Sequence, residues 1–171
     1  MPAQYLDEYI REFKRDGEAT FKGRYGNPVL IVTSAAGELR DKKDADEATV
    51  MASSSGWRMQ ELSLLNRVFP VAKGTFALPG PITLGRSDAS DVSIPEESIS
   101  KRHCIFEIVA DGVQVTDCGS TNGTSIGATS LPPNAPHLLN GGEVLTMGNF
   151  SFLFHTAPSF LAYVRQLSGP R

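Results

Sequence analysis

The feature that most constrains this chain is a rhythm of short apolar segments beyond Trp57, each closed by turn-forming residues. The segments recur roughly every eight to twelve residues, which is the spacing of an all-β sandwich or barrel. Candidate strands are Leu65 to Ala72, Pro81 to Gly85, Asp91 to Ile94, His103 to Ala110, Val113 to Asp117, Thr124 to Leu131, Glu143 to Met147 and Phe150 to His155. Asp111-Gly112 and Gly148-Asn149 are predicted as tight hairpin turns, because Gly, Asn and Asp tolerate the positive φ that such turns require. Cys104, Phe106 and Ile108 alternate with Ile105, Glu107 and Val109. One apolar face therefore points inward, and Cys104 reads as a small core residue and not as a reactive thiol.

The flanks read differently. Tyr5, Leu6, Tyr9, Ile10 and Phe13 share one helical face, with Asp7 and Glu8 in the first turn, Lys14 and Arg15 in the last, and Gly17 beyond. After Asn27-Pro28 comes the β-branched run Val29 to Thr33, which pattern alone does not separate from other buried segments. From Gly37 to Gly56 apolar periodicity is lost through the charge run Asp41 to Glu47 and the serines Ser53, Ser54 and Ser55, the composition of a linker. Pro158 opens a closing helix with Phe160, Leu161, Val164 and Leu167 on one face, and Gly169-Pro170 ends it. The expected organisation is an N-terminal extension (1–36, a helix and a candidate strand), a flexible linker (37–58), a β domain (59–157) and a C-terminal helix (158–171).

Composition narrows the function classes. The chain has 171 residues, 40% hydrophobic and 20% charged, which suits one soluble domain with extensions. A net charge of -3 provides no global field to attract nucleic acid or an anionic membrane, so an anionic ligand must be met by a local basic cluster. Two cysteines, Cys104 and Cys118, are too few for a disulfide framework and lack zinc-ligand spacing. Asp7 and Glu8 stand where a signal peptide would be apolar, and no run is long enough to span a membrane. The expectation is a cytoplasmic protein with free thiols, no metal and no cofactor.

Four segments in connections carry groups suited to a phosphate: Gly85-Arg86, Ser100-Lys101-Arg102-His103, Asp117-Cys118-Gly119, and Ser120-Thr121-Asn122-Gly123-Thr124. Arg86 ends a strand and offers a planar fork for bidentate contact with phosphate oxygens, while Gly85 lets the backbone turn without a Cβ clash. Ser100 and Thr121 supply hydroxyl donors, and Asn122 supplies both an amide donor and a carbonyl acceptor, the combination needed to hold a peptide backbone.

These segments, in this order, resemble the forkhead-associated (FHA) domain, whose pattern is Gly-Arg, then Ser-x-x-His, then a Ser-Thr-Asn-Gly turn followed by a strand. The resemblance covers about Glu61 to Thr156. It implies an all-β fold, a β-sandwich of about eleven strands, with short N- and C-terminal helical extensions and loops at one end that read a phosphothreonine peptide. Arg86 and Ser100 would contact the phosphate, Lys101 would flank it, Thr121 would lie beside it and Asn122 would bind the peptide main chain. Gly85, His103 and Gly123 would support the site. The implied function is a phosphothreonine-dependent adaptor or regulator in Ser/Thr kinase signalling, with no nucleic-acid or membrane partner. The chain has no kinase signature, so an upstream Ser/Thr protein kinase must place the phosphate. A pocket for the threonine γ-methyl would disfavour phosphoserine. Some bacterial members recognise their own phosphorylated segment, and Thr49, beside Asp46 and Glu47, is the candidate phosphoacceptor. Because the family places its termini away from the binding loops, a segment preceding the domain would have to run across it to engage them.

Rival readings are weaker. Ser100, His103 and Asp117 have the residue types of a hydrolase triad, but no Gly-x-Ser-x-Gly elbow accompanies them. Asp41 to Glu47 fails as a calcium loop, with Lys43 third and Asp46 at the position that wants glycine. Asn122-Gly123-Thr124 matches a glycosylation sequon without a secretory context. The serious alternative is a structural or assembly protein that uses the sandwich and its terminal helices for homodimerisation or docking, because the apolar helix faces must be covered by something.

Overall fold

The computed structural model describes residues 3–35, 63–74 and 77–169. Two sheets face each other. One has seven strands, in the spatial order Gln4–Tyr5 (β1), Arg67–Pro70 (β3), Val29–Ala35 (β2), Phe150–His155 (β12), Val144–Met147 (β11), Thr124–Ile126 (β8) and Thr129–Ser130 (β9). The other has five, in the order Pro136–Leu139 (β10), Gly112–Asp117 (β7), Cys104–Val109 (β6), Ile82–Gly85 (β4) and Val92–Ser93 (β5). All neighbours are antiparallel except β4 and β5, which run parallel. Leu30, Val32, Phe152 and Phe154 on one inner face pack with Leu84, Cys104, Phe106 and Val115 on the other, so the fold is a β-sandwich.

The run at Val29 to Val32 is a strand near the middle of the larger sheet. β2 pairs with β3 on one side and with β12 on the other. Leu30 and Val32 enter the main core, whereas Val29 and Ile31 face the opposite way into a second apolar cluster. A strand buried on both faces shows no apolar and polar alternation, and this is why its pattern is uninformative. The division at residue 59 also reads differently against the strand pairing: β2 is part of the seven-stranded sheet, and β1 adds to its edge through Gln4 opposite Val68.

Three helices cover the outer face of that sheet: Leu6–Asp16 (α1), Glu18–Arg24 (α2) and Ala157–Ser168 (α3). Gly17, at φ 81°, ends α1, but α2 starts again at the next residue instead of giving way to a loop. Tyr9, Phe13, Phe21, Phe160 and Val164 form the second cluster on Val29, Ile31 and Val68. Tyr9 meets Phe160 edge to face at 5.2 Å, and Arg165 of α3 pairs with Glu18 of α2. The N- and C-terminal helices therefore cover each other's apolar faces and the sheet beneath them.

Other elements depart from the sequence reading in small ways. The segment Thr124 to Leu131 is two strands split by a turn at Gly127, where φ is 55°. β10 follows a Pro-rich stretch, and its Pro136 sits at the start of an edge strand, where a missing N–H costs no ladder bond. Cys104 and Phe106 are fully buried as expected, but Ile108, near the hairpin end of β6, is 64% exposed although Val113 opposite it is buried. Gly148-Asn149 forms a two-residue turn between β11 and β12, with φ 58° at Gly148.

Candidate functional site

The Gly85-Arg86, Ser100-to-His103 and Ser120-to-Gly123 segments meet at one end of the sandwich. Gly85 closes β4 in contact with the loop that precedes β6. A Cβ there would stand 2.2 Å from the Lys101 carbonyl oxygen and 2.9 Å from that of Ser100, so no larger residue fits without moving backbone. Beyond it the Arg86 amide donates to the Ser100 carbonyl at 2.9 Å and the Ser87 amide to the Lys101 carbonyl at 3.3 Å. Arg86 is exposed, and its Nε donates to the Ile99 carbonyl at 3.2 Å. That bond aims the guanidinium along the loop, and among the described residues no hydrogen bond engages its terminal amino groups. Gly85→Ala is expected to push the Lys101 carbonyl aside at about 1 to 3 kcal/mol, the usual cost of overpacking, with a lowered melting temperature as the check.

Ser100 joins this loop to the next. Its Oγ accepts from the Thr121 amide at 3.0 Å and lies 3.4 Å from Thr121 Oγ1. The Ser120-to-Gly123 turn is in turn built on Asp117 at the end of β7. Asp117 is 2% exposed. Its Oδ1 accepts from the Gly119 and Ser120 amides, both at 2.8 Å. Its Oδ2 accepts from Ser120 Oγ at 2.7 Å and Thr124 Oγ1 at 2.6 Å. Burial by itself would raise this carboxyl, but the hydrogen bonds from Thr124, Ser120 and Gly119 outweigh it and hold Asp117 below the ordinary carboxylate value. Gly119 and Gly123 take positive φ of 75° and 73°, the conformation that lets the chain double back so tightly. Asp117 is the anchor of the turn and was not among the predicted site residues. An Asp followed two residues later by Gly-Ser is the available sequence signal, since such a side chain caps its own turn.

His103 is fully buried beneath both loops. Its Nδ1 accepts from the Ser100 amide at 3.1 Å, so Nε2 carries the proton and donates to the Gly123 carbonyl at 3.1 Å. Both ring nitrogens are thus spent on backbone. The Ser100, His103 and Asp117 set is not arranged as a triad: the histidine meets the Ser100 amide and not its hydroxyl, and Asp117 serves Ser120 and Thr124. Burial pushes the His103 imidazole below its usual value, against smaller opposing pulls from the Gly123 carbonyl and the Asp117 charge. His155, at the end of β12, is lowered by burial as well. A histidine whose pKa is depressed in the fold takes up its proton more readily when unfolded. Its stabilising contribution is present above the unfolded value of about 6.5 and is lost as pH falls below it. Resistance to urea is expected to drop between pH 7 and pH 5.5, by up to about 1.4 kcal/mol per pH unit for each histidine. A constant midpoint would contradict the buried neutral assignment.

Lys101 is exposed on the loop shared by Arg86 and Ser100, and Asn122 is exposed at the tip of the turn, its Nδ2 donating to the Ser98 carbonyl at 2.7 Å. The structure therefore gathers Arg86, Ser100, Lys101, Thr121 and Asn122 at one end of the sandwich, with Gly85 and His103 buried behind them and Gly123 exposed in the turn. Thr49 lies outside the described residues. The chain leaves β2 at Ala35, which pairs with Phe150 beside the Gly148-Asn149 turn. β2 thus ends on the side of the sandwich where the Gly148-Asn149 turn lies. Among the described residues no group of three or more His, Cys, Asp or Glu is placed to hold a metal, and no helix is long and apolar enough to cross a membrane.

The sequence matches known proteins. The FHA domain family matches residues 82–148, which run from β4 through the Gly148 turn. The oxoglutarate dehydrogenase inhibitor of Corynebacterium glutamicum is 34% identical over 136 residues, spanning 77% of this chain and 93% of that one. This chain belongs to the FHA family. The glycogen accumulation regulator GarA of Mycolicibacterium smegmatis is 37% identical over 90 residues, 52% of this chain and 55% of GarA. Mouse mediator of DNA damage checkpoint protein 1 is 32% identical over 123 residues, 67% of this chain but only 7% of that protein. The chain thus spans about half of GarA and a small part of the mouse protein. The solution structure of the FHA domain of a hypothetical Arabidopsis thaliana protein superposes with a TM-score of 0.50 at 19% identity, covering 77% of this chain and 86% of that one, and supports the fold.

Proposed function

We propose that this FHA protein is a phosphothreonine-dependent binding module, an adaptor or regulator in Ser/Thr kinase signalling and not an enzyme, with Arg86, Ser100, Lys101, Thr121 and Asn122 as its ligand surface. The observation that carries this reading is the lock between loops, in which the Ser100 hydroxyl accepts from the Thr121 amide while the Ser100 carbonyl holds the Arg86 amide. A cationic fork, two hydroxyls and a carboxamide are thereby presented together on a rigid scaffold, a donor set suited to a phosphate and the main chain beside it. Relatives named as an inhibitor and as a regulator support a regulatory role over a catalytic one. The ligand is a protein or peptide phosphorylated by a separate Ser/Thr kinase, and the setting is the cytoplasm.

Calorimetric titration with matched peptides tests it. The phosphothreonine peptide should bind and its unphosphorylated form should not. The phosphoserine form should bind roughly fourfold more weakly or worse, since one buried methyl group contributes about 0.8 kcal/mol. Equal affinity for the first two peptides would refute the reading.

The competing use of the fold, homodimerisation through the terminal helices, was motivated by apolar faces in need of cover. The centres of those faces, Tyr9, Phe13, Phe160 and Val164, are buried against each other and the sheet, while Tyr5 and Leu167 at their ends stay exposed. Sedimentation should accordingly give a monomer at micromolar concentration, and a dimer that dissociates on mutation of α1 or α3 would restore the assembly reading.

A further inference from the structure

The β11–β12 hairpin follows the motifs of the site in sequence; β11 pairs with β8, Met147 opposite Thr124, and the hairpin's turn reaches the loops through Ser98. Gly148 approaches Ser98 so closely that a Cβ on it would fall 2.4 Å from the Ser98 carbonyl oxygen and 2.6 Å from its Oγ. The next residue, Asn149, donates its amide to Ser98 Oγ at 3.1 Å. Ser98 is therefore gripped from the hairpin side. Its carbonyl, the atom nearest to Gly148, also accepts from Asn122 Nδ2 at 2.7 Å. A carboxamide has two N–H donors and one oxygen, and only the nitrogen can donate to a carbonyl. The contact with Ser98 thus fixes which way round the Asn122 amide sits. The oxygen is left to accept a peptide N–H. Asn122 and Gly148 also line one small cleft, of about 110 Å³, together with Gly123, Ser125, Ser130 and Thr146.

We propose that the Gly148-Asn149 turn, acting through Ser98, is a positioning element that sets the Asn122 carboxamide for main-chain recognition of the bound peptide. This rests on the phosphopeptide reading above. Its consequence is a division of labour: Arg86, Ser100 and Thr121 meet the phosphate, while the hairpin governs only the peptide backbone contribution. A merely structural hairpin would affect both parts equally or neither.

The test uses the full chain and two variants, Gly148→Ala, which adds the clashing Cβ at a positive φ, and Ser98→Ala, which removes only the Oγ that Asn149 holds. Both are checked for an intact fold by circular dichroism. Affinities are measured for a phosphothreonine peptide and, by NMR titration, for phosphothreonine as the free amino acid. Gly148→Ala should weaken peptide binding about tenfold and Ser98→Ala about threefold, with free phosphothreonine affected less than twofold. In an Asn122→Ala background neither change should weaken the peptide further. Equal losses for both probes, or additive losses in the Asn122→Ala background, would overturn the proposal. The Asn122 side-chain amide resonances give a readout without ligand: two dispersed, exchange-protected protons in the wild type and collapsed signals in either variant are expected, and unchanged signals overturn the proposal even where Gly148→Ala fails to fold, because Ser98→Ala leaves the turn intact. Failure of the wild type to bind any phosphothreonine peptide would instead refute the functional reading, while these resonances still report whether the hairpin holds Asn122.

Discussion

Replacing Arg86 with alanine should abolish phosphopeptide binding while leaving the protein folded. A phosphothreonine carries a charge of about -1.5 to -2 at neutral pH and three strong acceptor oxygens. Hydrogen bonds to charged groups contribute roughly 1.5 to 3 kcal/mol each, so losing a bidentate pair should weaken binding about a hundredfold or more. The cost to the fold is small. Arg86 is exposed, and among the described residues its side chain makes one hydrogen bond, to the Ile99 carbonyl. Its backbone amide bond to Ser100 survives the substitution. Arg86→Lys should fall between the two, because it keeps the charge but not the fork. The measurement is calorimetry beside thermal melting: lost affinity at an unchanged melting temperature is expected, and unchanged affinity in a folded variant would displace Arg86 from the site.

Asp117→Ala should have the opposite profile, unfolding the scaffold rather than the ligand contacts alone. The carboxylate accepts from two amides and two hydroxyls in a nearly closed environment. Removing it strands those donors, and even with water reaching some of them the loss should be about 3 kcal/mol or more. For a chain of this size that lowers the melting temperature on the order of 10 °C. Binding should fall too, because Thr121 and Asn122 stand on the turn that Asp117 anchors. Asp117→Asn should recover part of the stability, since its one carbonyl oxygen still accepts from the turn while its amide cannot. Urea titration checks the ranking, and an Asp117→Ala variant as stable as the wild type would refute the anchoring role.

What was legible in the sequence follows from the range of the interactions involved. Arg86, Ser100, Thr121 and Asn122 lie in connections punctuated by Gly and small polar residues, and short hydrogen bonds within and between neighbouring loops hold them. Local chemistry and spacing were sufficient to select them. The anchoring by Asp117 is also local and was open to the same reading, but a carboxylate beside a histidine and a serine invites a catalytic interpretation first. The grip of Gly148 on Ser98 was not legible: the two residues are brought together only by the closing of the sandwich, and nothing in either segment marks the contact. β2 was obscured for a different reason. Its burial on both faces erases the alternation by which a half-buried strand is recognised, and without it the segment looked like an extension ahead of the domain. α2 was missed because Gly17 is a genuine helix terminator, and nothing before Glu18 signals that a second helix begins at once.

The most direct measurement of the account is an NMR titration of the labelled chain with a phosphothreonine peptide and its unphosphorylated twin. The phosphorylated peptide should shift the amides of Arg86, Ser100, Lys101, Thr121 and Asn122 while leaving those of α1, α2 and α3 in place. The twin should shift none of them. Shifts centred elsewhere, or the same shifts with both peptides, would contradict a phosphothreonine site on these loops.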